Sequence, residues 1–222
     1  MKKQLFLATI TFLGAQATHA QVQLSIGPRV GLQSTSFDGP RFNDAAHTQR
    51  YGAQAGVVAN AQFNHFAIQP ALVFSQKGDK NDWRESDYVT LHDAVRVNYL
   101  ELPINFVLSI DKSDGFQLFA GPYVALGVGG RLRSTFTYGS EVTESNDPLS
   151  FKQRSSYSTP HEFRRFDAGF NAGIGYKCGP LQIQTAYGRS AMTIKPEGKT
   201  GRAYSPRSRS IQLTLNYFFA LN

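Results

Sequence analysis

Eight segments in which every second residue is apolar recur along the chain, and this period of two restricts the fold more than any other feature. In one of them, Leu181, Ile183 and Tyr187 alternate with Gln182 and Gln184. The segments begin near positions 22, 51, 66, 99, 116, 165, 181 and 210. Because successive side chains of a strand point to opposite faces, the pattern predicts eight β-strands, each with one apolar and one polar face.

The connections between these segments fall into two classes of length. The short ones are predicted turns near Asn64, Asp111 and Cys178. The long ones are predicted loops over residues 38–50, 77–94, 131–162 and 190–208. A soluble β-sandwich also has alternating strands, but it buries the apolar face and its connections need not sort by length. The predicted fold is therefore all-β: an eight-stranded antiparallel transmembrane β-barrel with short periplasmic turns and long extracellular loops.

The first twenty residues have the pattern of a secretory signal peptide. Two lysines precede an apolar run, Leu5–Ala15, that is too short to span a bilayer, and small residues follow up to Ala20. We therefore expect a signal peptide over residues 1–20, cleaved after Ala20, and an outer-membrane β-barrel domain over 21–222. The expected location is the cell outer membrane.

Charge and cysteine content limit the partners. The chain has 222 residues, a formal net charge of +7 and one cysteine, Cys178, so it cannot form an intramolecular disulfide. Its stability must come from packing and strand pairing. The positive charge either is a solvated surface or contacts anionic lipid head groups. Nucleic acid is a poor fit for an exported chain.

Four motifs occur in the order found in one known family. They are IQPALVFSQKG at Ile68–Gly78, YLELP at Tyr99–Pro103, FAGPY at Phe119–Tyr123 and SIQLTLNYFF at Ser210–Phe219. The chain thereby resembles the PorT-like outer-membrane β-barrel family of Bacteroidetes, named after a component of a secretion and gliding apparatus. The resemblance implies fold and location but little about activity. The aromatic ending, Tyr217–Phe219, also resembles the signal by which the barrel-assembly machinery recognises its clients.

The ionisable residues lack the spacing of a catalytic or metal site. The mature histidines show no His-x-x-x-His pattern. A Ser-His-Glu group can be drawn around His161, but a triad is defined by geometry and not by proximity in sequence. The acidic residues of the 77–94 loop do not have the spacing of an EF-hand calcium loop, so a solvated acidic loop is favoured. We therefore expect no catalytic residues, no metal, no cofactor and no enzymatic activity.

Two groups of charged residues are candidate sites. The strand register predicts ion pairs across the barrel interior, since an unpaired charge there would be costly, and the residues are Arg29, Glu101, Arg165 and Asp167. The last long loop carries a basic cluster predicted to contact lipopolysaccharide phosphates, although a merely solvated loop is the alternative. Its residues are Lys195, Lys199, Arg202, Arg207 and Arg209.

The leading functional hypothesis is a non-enzymatic outer-membrane barrel with a structural or surface-binding role through its long loops. The alternatives are a narrow pore or transporter and an accessory subunit of a secretion or gliding machine. The expected partners are outer-membrane lipid with its lipopolysaccharide, the barrel-assembly machinery and an envelope protein that no motif identifies.

Overall fold

The computed structural model describes residues 22–38, 46–86, 88–111, 114–151, 154–155, 162–194, 197–198 and 206–221, which contain fourteen β-strands. The strands are β1 (Gln23–Asp38), β2 (Ala46–Phe63), β3 (Phe66–Ser86), β4 (Val89–Ser109), β5 (Gly115–Tyr138), β6 (Glu141–Pro148), β7 (Ser150–Phe151), β8 (Arg154–Ser155), β9 (Glu162–Phe163), β10 (Phe166–Cys178), β11 (Leu181–Ser190), β12 (Glu197–Gly198), β13 (Arg207–Tyr217) and β14 (Phe219–Leu221). Among the described residues there is no helix with the length and apolarity needed to cross a bilayer. The predicted signal peptide lies outside the described residues.

Eight of these strands pair into a closed antiparallel ring. Their order around the ring is β1, β2, β3, β4, β5, β10, β11 and β13. The ring closes where Leu32 of β1 pairs with Leu213 of β13, and β5 meets β10 where Phe119 pairs with Gly173. Each of the eight therefore has a hydrogen-bonded neighbour on both sides, as a wall in hydrocarbon requires. The predicted eight-stranded antiparallel barrel is confirmed.

The wall has its apolar side chains outside and its polar side chains inside. In β11, Leu181, Ile183 and Tyr187 are 47%, 48% and 48% exposed, whereas Gln182 and Gln184 are 0% and 1% exposed. A protein surrounded by water would bury the apolar side chains, because the transfer of apolar surface out of water lowers the free energy. The reversed pattern is the one expected of a wall that faces lipid.

Two inward-facing glycines make room for large aromatic side chains. A Cβ atom added to Gly169 would lie 2.8 Å from the Tyr123 ring, and one added to Gly173 would lie 2.8 Å from Cζ of Phe119. Both aromatic side chains are buried. Because the interior of an eight-stranded barrel is only wide enough for side chains, a ring on β5 needs a missing side chain on β10.

One end of the barrel carries the predicted short turns. Residues with positive φ occupy all three, namely Asn64 at 56°, Gly115 at 82° and Gly179 at 56°. This left-handed region favours glycine and admits asparagine more readily than most residues.

At the other end, the strands extend further than the sequence pattern predicts. The expected loops over 77–94 and 131–162 are largely strand, since β3 continues to Ser86 and a β5–β6 hairpin turns at Gly139. Outside the lipid the outward face of a strand no longer has to be apolar, so its residues need not alternate in polarity. The backbone pairing continues there without the period of two that reveals it elsewhere.

Candidate functional site

Amide side chains fill much of the barrel interior. Nε2 of Gln182 donates to Oε1 of Gln117 at 2.5 Å, and Nδ2 of Asn216 donates to Oε1 of Gln182 at 2.7 Å. Across the lumen, Nε2 of Gln184 donates to Oε1 of Gln69 at 3.3 Å. All five side chains are buried, and burial of such groups is tolerated when they are hydrogen-bonded to one another. The network ties non-adjacent strands together through the lumen.

A buried ion cluster lies beside this network. Nζ of Lys77 is 2.9 Å from Oε1 of Glu101 and 3.9 Å from Oδ2 of Asp167. The same ammonium lies 4.4 Å from the centroid of the Tyr123 ring, whose hydroxyl donates to Oδ2 of Asp167 at 3.1 Å. The hydroxyl of Ser190 donates to the other oxygen of Asp167. These five residues belong to β3, β4, β10, β5 and β11, so the cluster joins five of the eight wall strands.

Three of the four residues predicted to form interior ion pairs face the lumen. Arg29, Glu101 and Asp167 are 4%, 6% and 4% exposed. Arg29 donates from Nη1 to Oε1 of Gln184 at 3.4 Å, so in this cluster it is Lys77 that forms the ion pairs with both carboxylates.

The fourth residue, Arg165, is exposed and does not join the cluster. It precedes β10, and its carbonyl accepts a hydrogen bond from the Gly127 amide where the chain enters the wall. The alternation of β10 therefore does not extend back to it. Lys77, which the sequence pattern predicted at the start of a loop, supplies the cation instead. Extending the period of two from the inward residues Val73 and Ser75 would have found it.

Apolar side chains occupy the lumen above and below the polar groups. At the end with the long connections, nine buried residues form one cluster: Phe37, Val97, Tyr99, Tyr123, Ala125, Leu132, Leu149, Phe163 and Ile194. Nearer the short turns, Phe218 packs against Val58, Ala71 and Val73. In the described ranges, no three His, Cys, Asp or Glu side chains converge in a way that could hold a metal ion. Chemically, the lumen holds hydrogen-bonded amides and one ion cluster between apolar plugs.

Residues 15–184 match the family model described as the outer membrane protein beta-barrel domain. The chain belongs to this family of outer-membrane β-barrels. No curated protein sequence matches it. Among solved structures it is similar to Ail, the attachment invasion locus protein of Yersinia pestis, with 9% identity, a TM-score of 0.41 and coverage of 88% of this chain and 98% of that one. It is also similar to Neisserial surface protein A, with 12% identity, a TM-score of 0.37 and coverage of 87% and 97%.

Membership of this family gives the barrel an orientation. In outer-membrane barrels the short turns face the periplasm and the longer connections face the outside. The turns at Asn64, Gly115 and Gly179 therefore mark the periplasmic end of this outer-membrane barrel. The polar extensions of β3, β4, β5 and β6 then project outside the cell.

The basic residues predicted to contact lipopolysaccharide divide into two groups. Lys195, Lys199 and Arg202 lie outside the described residues. Arg207 and Arg209 lie on β13 and not in a loop, on the outward face that continues into the lipid-facing Ile211.

The outward face around Arg209 carries further polar contacts. Nε of Arg209 donates to Oγ of Ser36 at 2.8 Å. Arg189 pairs with Arg209 in register, and its Nη2 is 3.3 Å from Oδ2 of Asp38. In this outer-membrane barrel, these residues lie on the outer surface beyond the apolar band on the extracellular side.

Proposed function

We propose that this protein is a closed, non-enzymatic outer-membrane barrel that acts as a structural or surface-binding component through its extracellular extensions. The observation that carries the proposal is the filled lumen. Amide pairs such as Gln182 with Gln117 and the ion cluster around Lys77 occupy the positions that water would need in a conducting pore. The apolar cluster that contains Tyr99 and Phe163 adds a second obstruction at the extracellular end.

A narrow pore or transporter is the first alternative. It requires a continuous column of water or a site that empties, and eight strands leave an interior just wide enough for side chains. The cross-lumen bond between Gln184 and Gln69 and the five-strand ion cluster argue against it, because opening a path would break buried polar contacts.

We further propose that the chain belongs to the PorT-like branch of outer-membrane barrels from Bacteroidetes, and that residues 1–20 are a cleaved signal peptide. The ordered motifs from Ile68 to Phe219 support the first proposal, and the basic start and short apolar run of the leader support the second. An accessory role in a secretion or gliding machine, with an envelope protein as partner, is the alternative that this resemblance suggests.

Conductance in planar bilayers tests the closed barrel. The folded protein is reconstituted at a known copy number, with a porin under the same conditions as the positive control. We expect no stable conductance steps above the lipid baseline. Steady single-channel steps from the unmodified protein would refute the closed barrel and support the pore. Co-purification with a large envelope protein after gentle detergent extraction, together with a secretion defect on deletion, would favour the accessory subunit.

A further inference from the structure

A basic groove lies on the outer surface of the extracellular extension, away from the lumen and its ion cluster. It has a volume of about 560 Å³. We call it the outer basic groove, and its lining residues are Arg50, Lys80, Ala94, Arg96, Arg131, Arg133 and Asn146. Five of these seven residues are cationic at neutral pH, and they come from β2, β3, β4 and β5.

Strand alternation places the groove on the outward face. Val97 and Leu132 are buried in the apolar cluster that closes the lumen. Arg96 precedes Val97, while Arg131 and Arg133 flank Leu132, so these three arginines point the other way. On β3, Gly78 pairs with Arg96 and Lys80 pairs with Ala94. Lys80 is two residues beyond Gly78, so it lies on the same outward face as Arg96. Arg50 reaches the same face at the irregularity of β2 between Gln49 and Gln54, where its Cδ lies 2.6 Å from the position of a Cβ added to the outward Gly78. The cations therefore form a patch that faces away from the barrel axis.

The groove lies directly beyond the apolar band of the wall. On β4 the outward residue Leu100 is 40% exposed and belongs to that band. Arg96 is four residues further along, about 13 Å at ~3.3 Å per residue. On β2, Tyr51 is 80% exposed on the outward face and neighbours Arg50, and aromatic residues of this kind mark the interface in outer-membrane barrels. This height corresponds to the head groups of the outer leaflet.

The groove brings like charges close together. Arg96 and Arg131 are directly opposite on adjacent strands, an arrangement that destabilises a sheet when the charges are alike. Within the part of the chain that the structure describes, none of the five groove cations forms an ion pair. Burial and, after it, the positive charge of Arg96 lower the pKa of Arg50. The next outward carboxylate on β3, Asp82, is 2.8 Å from His92.

We propose that the outer basic groove binds phosphate groups of lipopolysaccharide in the outer leaflet. Guanidinium groups bind phosphate oxygens in a bidentate manner, and several arginines around one groove can hold a bulky, multiply charged head group. The inference rests on the proposed function, because a surface-binding barrel must present its site outside the lumen. The groove lies on β2 to β5 and is separate from Arg207 and Arg209 on β13.

The test measures the affinity of the folded barrel, in zwitterionic detergent micelles, for purified lipid A. The variant Arg96→Gln/Arg131→Gln removes the central pair, and Arg165→Gln/Lys177→Gln is a control with the same loss of two charges outside the groove. We expect the groove variant to bind lipid A about thirtyfold more weakly and the control to bind normally. The affinity of the unmodified protein should also fall with added salt.

A third variant separates bidentate binding from charge alone. Arg96→Lys/Arg131→Lys keeps both charges, and we expect an affinity between those of the unmodified protein and the glutamine variant, because an ammonium cannot replace a guanidinium fork. The glutamine variant should remain folded and be at least as stable as the parent in detergent without lipid A, since it removes a like-charge pair. Weaker binding then cannot be attributed to unfolding.

The choice of ligand identifies the source of the phosphate. Lipid A from which the phosphates have been removed should bind the unmodified protein as weakly as intact lipid A binds the glutamine variant. Equal binding of intact lipid A by variant and parent would overturn the proposal. So would preferential binding of a soluble sulfated glycan or of inorganic phosphate over lipid A. If lipid A binding does not depend on the groove and the planar bilayer shows no conductance, only the groove proposal is refuted and the closed barrel stands. If the barrel conducts, the proposed function is refuted, whatever the groove binds.

Discussion

Replacing Lys77 with methionine removes the cation that contacts both carboxylates of the ion cluster. Nζ of Lys77 contacts Glu101 at 2.9 Å and Asp167 at 3.9 Å, and all three side chains are buried. The substitution keeps the volume of the side chain but leaves two buried carboxylates without their cation. Loss of one partner from a buried pair costs about 3–5 kcal/mol, and we expect Lys77→Met to lower the free energy of unfolding by that amount.

The structure also predicts an order among the variants. Glu101→Gln leaves Lys77 beside Asp167 and over the Tyr123 ring, so we expect a smaller loss, about 1.5–3 kcal/mol, the value of a hydrogen bond to a charged group. Lys77→Met/Glu101→Gln should cost less than the sum of the two single changes, because it removes both members of the closest pair. Glu144→Gln, the same change at an exposed residue of β6, should alter stability by no more than about 0.5 kcal/mol.

The assay is urea-dependent unfolding in phospholipid vesicles, with the folded fraction read from the gel mobility of unheated samples. The two single variants, the double variant and Glu144→Gln are compared under identical conditions. If Lys77→Met were no more destabilising than Glu144→Gln, or if the two single changes were strictly additive, the buried ion cluster would not hold the five strands together as argued. Equal losses for Lys77→Met and Glu101→Gln would show that Asp167 does not share the cation.

Three further predictions concern the wall, the membrane surface and the leader. Gly173→Ala should destabilise the barrel by about 1–3 kcal/mol in the same assay, because its Cβ would lie 2.0 Å from the Thr185 carbonyl oxygen and 2.8 Å from the Phe119 ring. Gly129→Ala should be neutral, because its Cβ would have only Asn98 within 4 Å, at 3.9 Å. Arg207→Gln/Arg209→Gln should weaken lipopolysaccharide binding in a salt-dependent way. Unchanged binding would show that these two arginines are only part of a solvated surface. Mass spectrometry of the protein from the outer-membrane fraction should find Gln21 as its first residue, and retention of Lys2 and Lys3 in a soluble periplasmic fraction would contradict both the leader and the location.

The fold could be predicted from the sequence wherever lipid is in contact with the wall. A lipid-facing strand must place apolar side chains on every second position, so residues such as Leu213 and Leu215 reveal their strand without any knowledge of their neighbours. The turns at Asn64 and Gly179 were equally visible, because tight reversals depend on local backbone conformation. Arg29, Glu101 and Asp167 could be assigned to the interior for the same reason: their facing follows from position along a single strand.

Only the tertiary structure decided which charges meet. Lys77, Glu101 and Asp167 lie on three strands, and their contacts depend on the stagger between strands and on closure of the ring, neither of which is present in a period of two. The polar extensions were missed because an outward face in contact with water does not have to be apolar and the alternation is lost, although β3 and β4 stay paired to Ser86 and Val89. The outer basic groove follows from that pairing, since it assembles Arg50, Lys80, Arg96, Arg131 and Arg133 from four strands that only the folded sheet makes neighbours.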